Sequence, residues 1–346
     1  MKTAIVNACP DIVVPCDDGV VWQLHDLHTL YPELRPLIEH SLGPGEMYPA
    51  LQSRVRLMQV AAELGIRTPF TRTIEHKEDL ADWCVAAPAV LKLDGTWGGE
   101  GVEIVRSPEA ALMAFEKLIK PNGVSLACKR LIVNRDPLAF WSLRRNNKPS
   151  VTIQQFVLGR PANTMFVCWR GEVLSMVTVE VLFAQGATGA ATVVRVIQNA
   201  EITQAAQLLA RQFMLNGFHG LDFILEDITG SAYLLELNPR CTQLGHLRFP
   251  GQGDLAGMLS AKLKDVDPPQ PKEAIENDTI AFFPQAFSLN PKNPFLSRGY
   301  HDVPWEEPRL FHHLLREAWP ERQWPARIYH FFRPPKPIIE MKIEAD

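Results

Sequence analysis

Two short stretches decide the reading of this chain: Leu221-Asp222-Phe223 and, one turn later, Tyr233-Leu234-Leu235-Glu236-Leu237-Asn238-Pro239-Arg240. A turn at Asp227–Gly230 separates apolar-rich runs over Leu221–Leu225 and Ala232–Leu237, which predicts an antiparallel hairpin. Glu236 and Asn238 are two residues apart and therefore share a strand face. Pairing brings Asp222 against that face. Two carboxylates and an amide oxygen are hard donors that suit a Mg²⁺ ion keeping water and phosphate oxygens as its other ligands. Arg240, on the same side, has the forked head that binds a carboxylate or phosphate. These residues also read as solvated strand positions, but they lie beside the apolar run Tyr233-Leu234-Leu235, where unexplained burial of charge is costly.

Upstream stands Lys92-Leu93-Asp94-Gly95-Thr96-Trp97-Gly98-Gly99-Glu100-Gly101. Its glycines allow backbone N–H groups to approach phosphate oxygens, and Lys92 enters the turn from a strand. No Gly-Lys-Ser/Thr opens a helix here, so this is not a Walker A loop. Taken alone, the segment is either a phosphate cradle or a hairpin whose glycines supply positive φ.

Working outward, strands are expected over Ala89–Leu93, Val102–Val105, Thr164–Trp169 and Glu172–Val181. Helices are expected over Val20–Leu30, Gln52–Leu64 with Gly65 as its C′ cap, His76–Trp83, Ser107–Leu118, Ile202–Leu215, and from Asp254 to Lys264. A β-like run covers Asp11–Pro15. Thirteen of the 28 prolines fall between Pro268 and Pro337, so the regular fold is expected to end mostly near Lys264. Strands and helices alternate without strict βαβ repetition, which gives an α+β, or mixed α/β, class.

Together the glycine-rich turn and the hairpin resemble the ATP-grasp superfamily over about residues 51–264, nearest its carbamoyl-phosphate-synthase-like and carboxylate–amine ligase branches. The resemblance implies an ATP-grasp fold with a truncated N-terminal α/β piece (1–50) and an ATP-grasp domain (51–265), followed by a Pro-rich C-terminal tail (266–346) packing on the body. Within the domain it implies a lid subdomain at about 88–156 and a metal-binding, catalytic subdomain at about 157–265. It implies that Lys92 holds the nucleotide phosphates under a lid formed by Gly98, Gly99, Glu100 and Gly101. It further implies that Gln154, Gln155, Phe156 and Val157 form an adenine hinge, with the Gln154 carbonyl and the Val157 amide facing the base. Asp222, Glu236 and Asn238 would hold Mg²⁺, with Mn²⁺ as an alternative, and Arg240 would meet the transferred phosphoryl group or the acceptor carboxylate.

The chain departs from the family where Ser53-Arg54 replaces the usual Asp-Lys, although Arg54 keeps the positive charge near the phosphates. Pro161 stands where a ribose-binding carboxylate is common in the family; the resemblance leaves Asn163 as the substitute or a ribose bound in another way. The implied activity is an ATP-dependent carboxylate–amine ligase acting through an acyl phosphate. A kinase that ends at a phosphorylated product and a non-catalytic nucleotide-binding regulator are the alternatives.

Other residues carry less. His25 and His28 read as a surface-helix pair. The resemblance implies that Gln243 and His246 point toward the reacting end, against a loop with local hydrogen bonds, and Glu180 and Arg195 read as facing the acceptor side or as rim charges. Trp305, Phe311, Trp319, Trp324, Tyr329, Phe331 and Phe332 are expected to anchor the tail on the body.

A net charge of −4 supplies no global attraction for phosphate polymers or anionic membranes, so nucleic acid is not an expected partner. Cys9, Cys16, Cys84, Cys128, Cys168 and Cys241 form no C-x-x-C pair and read as free thiols. No apolar run approaches the roughly 20 residues of a membrane span, and no signal peptide opens the sequence. A cytoplasmic enzyme with a small carboxylate and a small nucleophile as its substrates is expected, and a homodimer is left open.

Overall fold

The computed structural model describes residues 1–80, 83, 88–94, 101–119, 150–250, 253–268, 274–316, 324 and 339–343. Trp97, Gly98, Gly99 and Glu100 lie outside the described residues, as do Trp319, Tyr329, Phe331 and Phe332.

The chain begins with helices α1 (Lys2–Ala8), α2 (Asp18–Leu30), α3 (Arg35–Leu42), α4 (Tyr48–Gln52) and α5 (Arg54–Glu63). Residues 1–50 contain no strand, so the expected β-like run Asp11–Pro15 is a connection and this piece is helical rather than α/β. Pro10 and Pro15 bracket that run, and its Val13 N–H donates to the Ser41 side chain at 2.9 Å instead of a neighbouring strand. Leu24, Ile38, Leu42 and Tyr48 make the small core of this layer.

Helix α5 starts and stops where local chemistry requires. The Ser53 hydroxyl accepts from the Arg56 N–H and caps the first turn. At the other end, Gly65 adopts φ +78°, and the Gly65 and Ile66 amides return to the Ala62 and Ala61 carbonyls. This cap places Arg54 at the first helical position.

A four-stranded antiparallel sheet follows, in the order β1 (Thr71–Ile74), β4 (Val151–Gln155), β2 (Ala89–Leu93), β3 (Val102–Val105). Helix α6 (Pro108–Ile119) covers it with Ala111, Ala114, Phe115 and Leu118. The expected helix over His76–Trp83 is a single 3₁₀ turn at Lys77–Leu80.

The larger sheet has eight strands. Its path runs β13 (Tyr300–Asp302), β12 (Thr279–Phe282), β7 (Ala191–Val196), β6 (Glu172–Gln185), β5 (Gly159–Trp169), β8 (Gly217–Glu226), β9 (Ala232–Asn238), and β14 (Glu340–Lys342) pairs with β6. Helices α5 and α7 (Ala200–Gln212) pack on one face around Phe166, Leu209, Phe213 and Phe223. The other face carries α8 (Leu255–Lys264), beside the short β10 (Arg248–Phe249) and β11 (Gly253–Asp254), and buries Met165, Val177, Leu255 and Phe282.

The regular fold therefore does not end at Lys264. Strand β12 is paired on both sides, and Ile280, Ala281 and Phe282 are almost wholly buried. Farther on, Glu340 accepts from Thr192 at 2.7 Å and from Asn293 at 3.0 Å, which fastens β14 to the sheet. Of the tail aromatics that are described, Phe311 stacks between Phe283 and Trp305. Trp305 and Trp324 are largely exposed.

Truncation after Lys264 is expected to give aggregated protein without a cooperative unfolding transition. It removes a central strand and bares the edge of β7. A soluble truncated chain with a sharp denaturant transition would contradict this.

Candidate active site

The site grows from the pairing of β8 with β9. Asp222 lies opposite Glu236, and Gly220 opposite Asn238, with a bulge just after Asp222. Across the other edge of β8, Asp222 faces Asn163 of β5. Both amides turn onto the one carboxylate: Asn163 donates to Oδ1, and Asn238 donates to Oδ2 at 3.0 Å. Strand register thus ties the Asn163 amide nitrogen to Asp222.

Burial, and then the adjacent Glu236 charge, push the Asp222 carboxyl well up, and the two amides only partly oppose this. Burial also disfavours charge on Glu236, but Arg54 and Lys92 outweigh it and hold that carboxyl low. Two carboxylates side by side, one driven toward its protonated form, suit a divalent cation placed between them. With the Asn238 amide oxygen they make a hard donor set with room for phosphate oxygens, which fits Mg²⁺. Among the described residues no three His, Cys, Asp or Glu side chains converge on a metal position, so the remaining ligands would come from water and substrate.

Positive charge arrives from two other elements. Arg54 reaches Asp94 at 2.7 Å and Glu236 at 3.3 Å. Among the described residues its buried Nε has no hydrogen-bond partner, a donor suited to an anion. Lys92 enters from β2 and is only 7% exposed. Burial, then the Arg54 charge, lower its ammonium to about 8, against the pull of Glu236, Asp222 and Asp94. No described residue accepts a hydrogen bond from that ammonium.

Arg240 lies beyond Asn238, with its Nε 2.7 Å from Asp18 in the first turn of α2. A cavity of about 130 Å³ runs from Glu236 and Asn238 past Arg240 to Asp18, Trp22 and His25. His25 is not a surface histidine: it is buried, stacks on Tyr48 at 4.1 Å and meets the Gln52 amide at 2.6 Å through Nδ1. His28 pairs with Glu39 at 2.7 Å. Sequence reasoning missed Asp18, Asp94 and the cavity wall on α2, because nothing in the chain order signals a contact 222 residues apart.

The hinge segment leaves the middle of the small sheet. Gln154 pairs with both Thr71 and Val90 and is buried, its side chain donating to the Thr71 hydroxyl at 3.0 Å. The Gln155 and Phe156 amides are spent on Phe70 and Pro88 carbonyls. Among the described residues the Val157 amide meets no acceptor. Of the lid glycines only Gly101 is described; it adopts φ +74°, and its carbonyl receives the Leu93 N–H at 2.9 Å.

Gln243 and His246 turn away, to the Ala191 carbonyl and to Asp302. Buried Glu180 is held between Arg160 and Arg195 and does not line the cavity.

The lowered Lys92 pKa makes stability pH-dependent. Between about 8 in the folded chain and the ordinary 10.5, the unfolded chain binds the extra proton, so stability rises with pH across that window. Wild type is expected to gain roughly 3 kcal/mol there that Lys92→Met does not gain, read from denaturant midpoints between pH 7.5 and 10.5. Parallel pH profiles would remove Lys92 from its buried, charge-crowded setting.

Comparison with known proteins agrees with this geometry. Residues 109–243 match the ATP-grasp domain family. The chain is similar to the biotin carboxylase domain of Hydrogenobacter thermophilus 2-oxoglutarate carboxylase, solved with MgADP, ADP and bicarbonate. There the TM-score is 0.54 at 12% identity, over 79% of this chain and 57% of that one. It is also similar to carboxyaminoimidazole ribonucleotide synthase from Aspergillus clavatus, solved with ATP, with a TM-score of 0.51 at 17% identity, over 71% of this chain and 59% of that one. The chain thus spans less than three fifths of either structure, and at these identities the likeness is one of fold. A comparison with curated proteins gives no match. The helix-covered pair of sheets, with Lys92 facing the Asp222–Glu236 hairpin, is an ATP-grasp fold, and the match to the ATP-grasp domain family lies within residues 109–243.

Proposed function

We propose that the protein is an ATP-dependent ligase that activates a carboxylate as an acyl phosphate and joins it to an amine or another nucleophile. The observation that carries this reading is a cavity lined by Arg54, Glu236, Asn238 and Arg240, with the buried Lys92 and Asp222 in electrostatic contact with Glu236 behind its wall. Phosphoryl transfer asks a protein for positioning and charge neutralisation rather than covalent chemistry, and this residue set offers both.

In this reading Lys92 and the Arg54 Nε bind phosphate oxygens. Asp222, Glu236 and the Asn238 oxygen hold Mg²⁺, which supplies charge neutralisation on the transferred phosphoryl group. Gln154 and Val157 receive the adenine edge at the end of β4. Arg240 orients the acceptor carboxylate, and Asp18 fixes the guanidinium before substrate arrives. Trp22, Val21 and Leu51 give the cavity an apolar wall that keeps water from the reactive acyl phosphate.

Release of ADP over a panel of carboxylates and amines, with hydroxylamine as the trap, tests the reaction class. A hydroxamate product is expected. ADP release with a stable phosphorylated product would instead mark a kinase, and nucleotide binding without turnover a regulator.

Glu236→Gln and Asn238→Ala are expected to abolish ADP release while the circular dichroism spectrum is kept. Unimpaired turnover in either would sink the metal assignment. Lys92→Ala is expected to weaken ATP at least tenfold more than adenosine in calorimetric titration, since its charge meets phosphates alone. Equal losses for the two ligands would place Lys92 elsewhere.

A further inference from the structure

Two thiols with no part in the chemistry above lie, one next in sequence to the cavity-lining Arg240 and the other two residues before the cavity-lining Asp18. Cys16 is exposed and directly precedes Asp17, the N-cap of α2. Cys241 is half-buried and directly follows Arg240. The chain segments that carry them run side by side. The Cys241 N–H donates to the Pro15 carbonyl at 2.8 Å, and a few residues away Arg240 meets Asp18 at 2.7 Å. A carbonyl oxygen and the next Cα are under about 3 Å apart, so this bond keeps the two cysteine Cα atoms within about 7 Å. Disulfides bridge Cα atoms up to roughly 6.8 Å apart. Burial and then the neighbouring Cys16 sulfur push the Cys241 thiol up to about 11, so the two sulfurs sense each other directly.

We propose that Cys16 and Cys241 are an oxidative modification site, which a peroxide converts to a disulfide tying the segment before α2 to the loop behind Arg240. The exposed Cys16 reacts first: its thiolate attacks one oxygen of hydrogen peroxide, the O–O bond breaks, and sulfenic acid and hydroxide form. The Cys241 thiol then attacks the sulfenic sulfur, forming the S–S bond and releasing water. In sum, two thiols and one peroxide give one disulfide and two waters. The other described thiols are placed differently. Cys168 is fully buried, and Cys9 stands at the C-cap of α1, whereas Cys16 and Cys241, whose thiols rest on the Val14 and Thr242 carbonyls, lie on adjoining segments. The bond would fix the loop that carries Arg240 and restrain its guanidinium from following the acceptor carboxylate through the reaction. This effect on turnover rests on the ligase reading; the bond itself does not.

The test treats the full-length chain with a few equivalents of hydrogen peroxide, blocks free thiols, and maps peptides under non-reducing conditions by mass spectrometry. A linked pair of peptides carrying Cys16 and Cys241, absent after dithiothreitol and absent in Cys16→Ser, is expected. Oxidation of Cys16 to sulfinic acid without a link, or a link from Cys16 to Cys9, overturns the site. ADP release, measured first on untreated enzyme so that a failed ligase reading shows by itself, is expected to fall at least tenfold on oxidation. Dithiothreitol should restore it, and Cys16→Ser should be unaffected by the same dose. A proven bond with unchanged turnover overturns the restraint on Arg240.

Discussion

Two carboxylates forced side by side govern this protein. Strand register places Asp222 opposite Glu236, and neither can turn away without breaking the β8–β9 ladder. Like charges so close are costly, and the surrounding residues are compensation for that cost. Asn163 and Asn238 spend their amide donors on Asp222. Arg54 and Lys92, from a helix and from the other sheet, bias the charge toward Glu236. The compensators carry strain of their own. Arg54 sits at a helix N-terminus, where the backbone dipole disfavours a cation, and Asp94 and Glu236 are what make that placement tolerable. Lys92 is held close to losing its proton. Such a site gains from any ligand that brings anionic oxygens to the cations and a divalent ion to the carboxylates.

The N-terminal helices finish what the hairpin starts. Asp18 and Arg240 are each about one-fifth exposed at the side chain, so their contact is better shielded than a surface pair. Without α2 the guanidinium would face solvent, and the cavity would lose Trp22 and His25 as a wall. The helical layer thus acts as part of the site.

The hairpin was legible because its information is local: a period of two, a turn of the right composition, and polar residues where apolar ones were due. The same is true of the end of α5, which Gly65 announces, whereas Ser53, which caps its start, was read one residue inside the helix. What escaped the sequence is non-local. Thr279-Ile280-Ala281-Phe282 is four apolar-leaning residues in a proline-rich stretch, too short to be told from a buried connection. Pairing with β7, more than eighty residues earlier, on one side and with β13 on the other makes it an interior strand. The resemblance offered Asn163 for a ribose, whereas its amide contact with Asp222 is set by the β5–β8 register. Asp18 gives no sign of its partner, because an ion pair depends on a fold and not on spacing.

Strand β9, which carries Glu236 and Asn238, is the edge of the large sheet, and an unprotected edge is a poor place for ligands that need fixed geometry. The chain meets this with one element. Helix α5 packs on β9, and just past its glycine cap the Arg67 carbonyl accepts the Leu234 N–H at 2.9 Å, giving the edge a short substitute partner. The N-terminus of the same helix delivers Arg54 to Glu236. Edge protection and charge compensation are therefore mechanically coupled, since any shift of α5 along β9 moves Arg54 relative to the carboxylates. This coupling accounts for the sharp cap at each end of so short a helix. A helix free to fray at either end could cover the strand or place the guanidinium, but could not hold both in register.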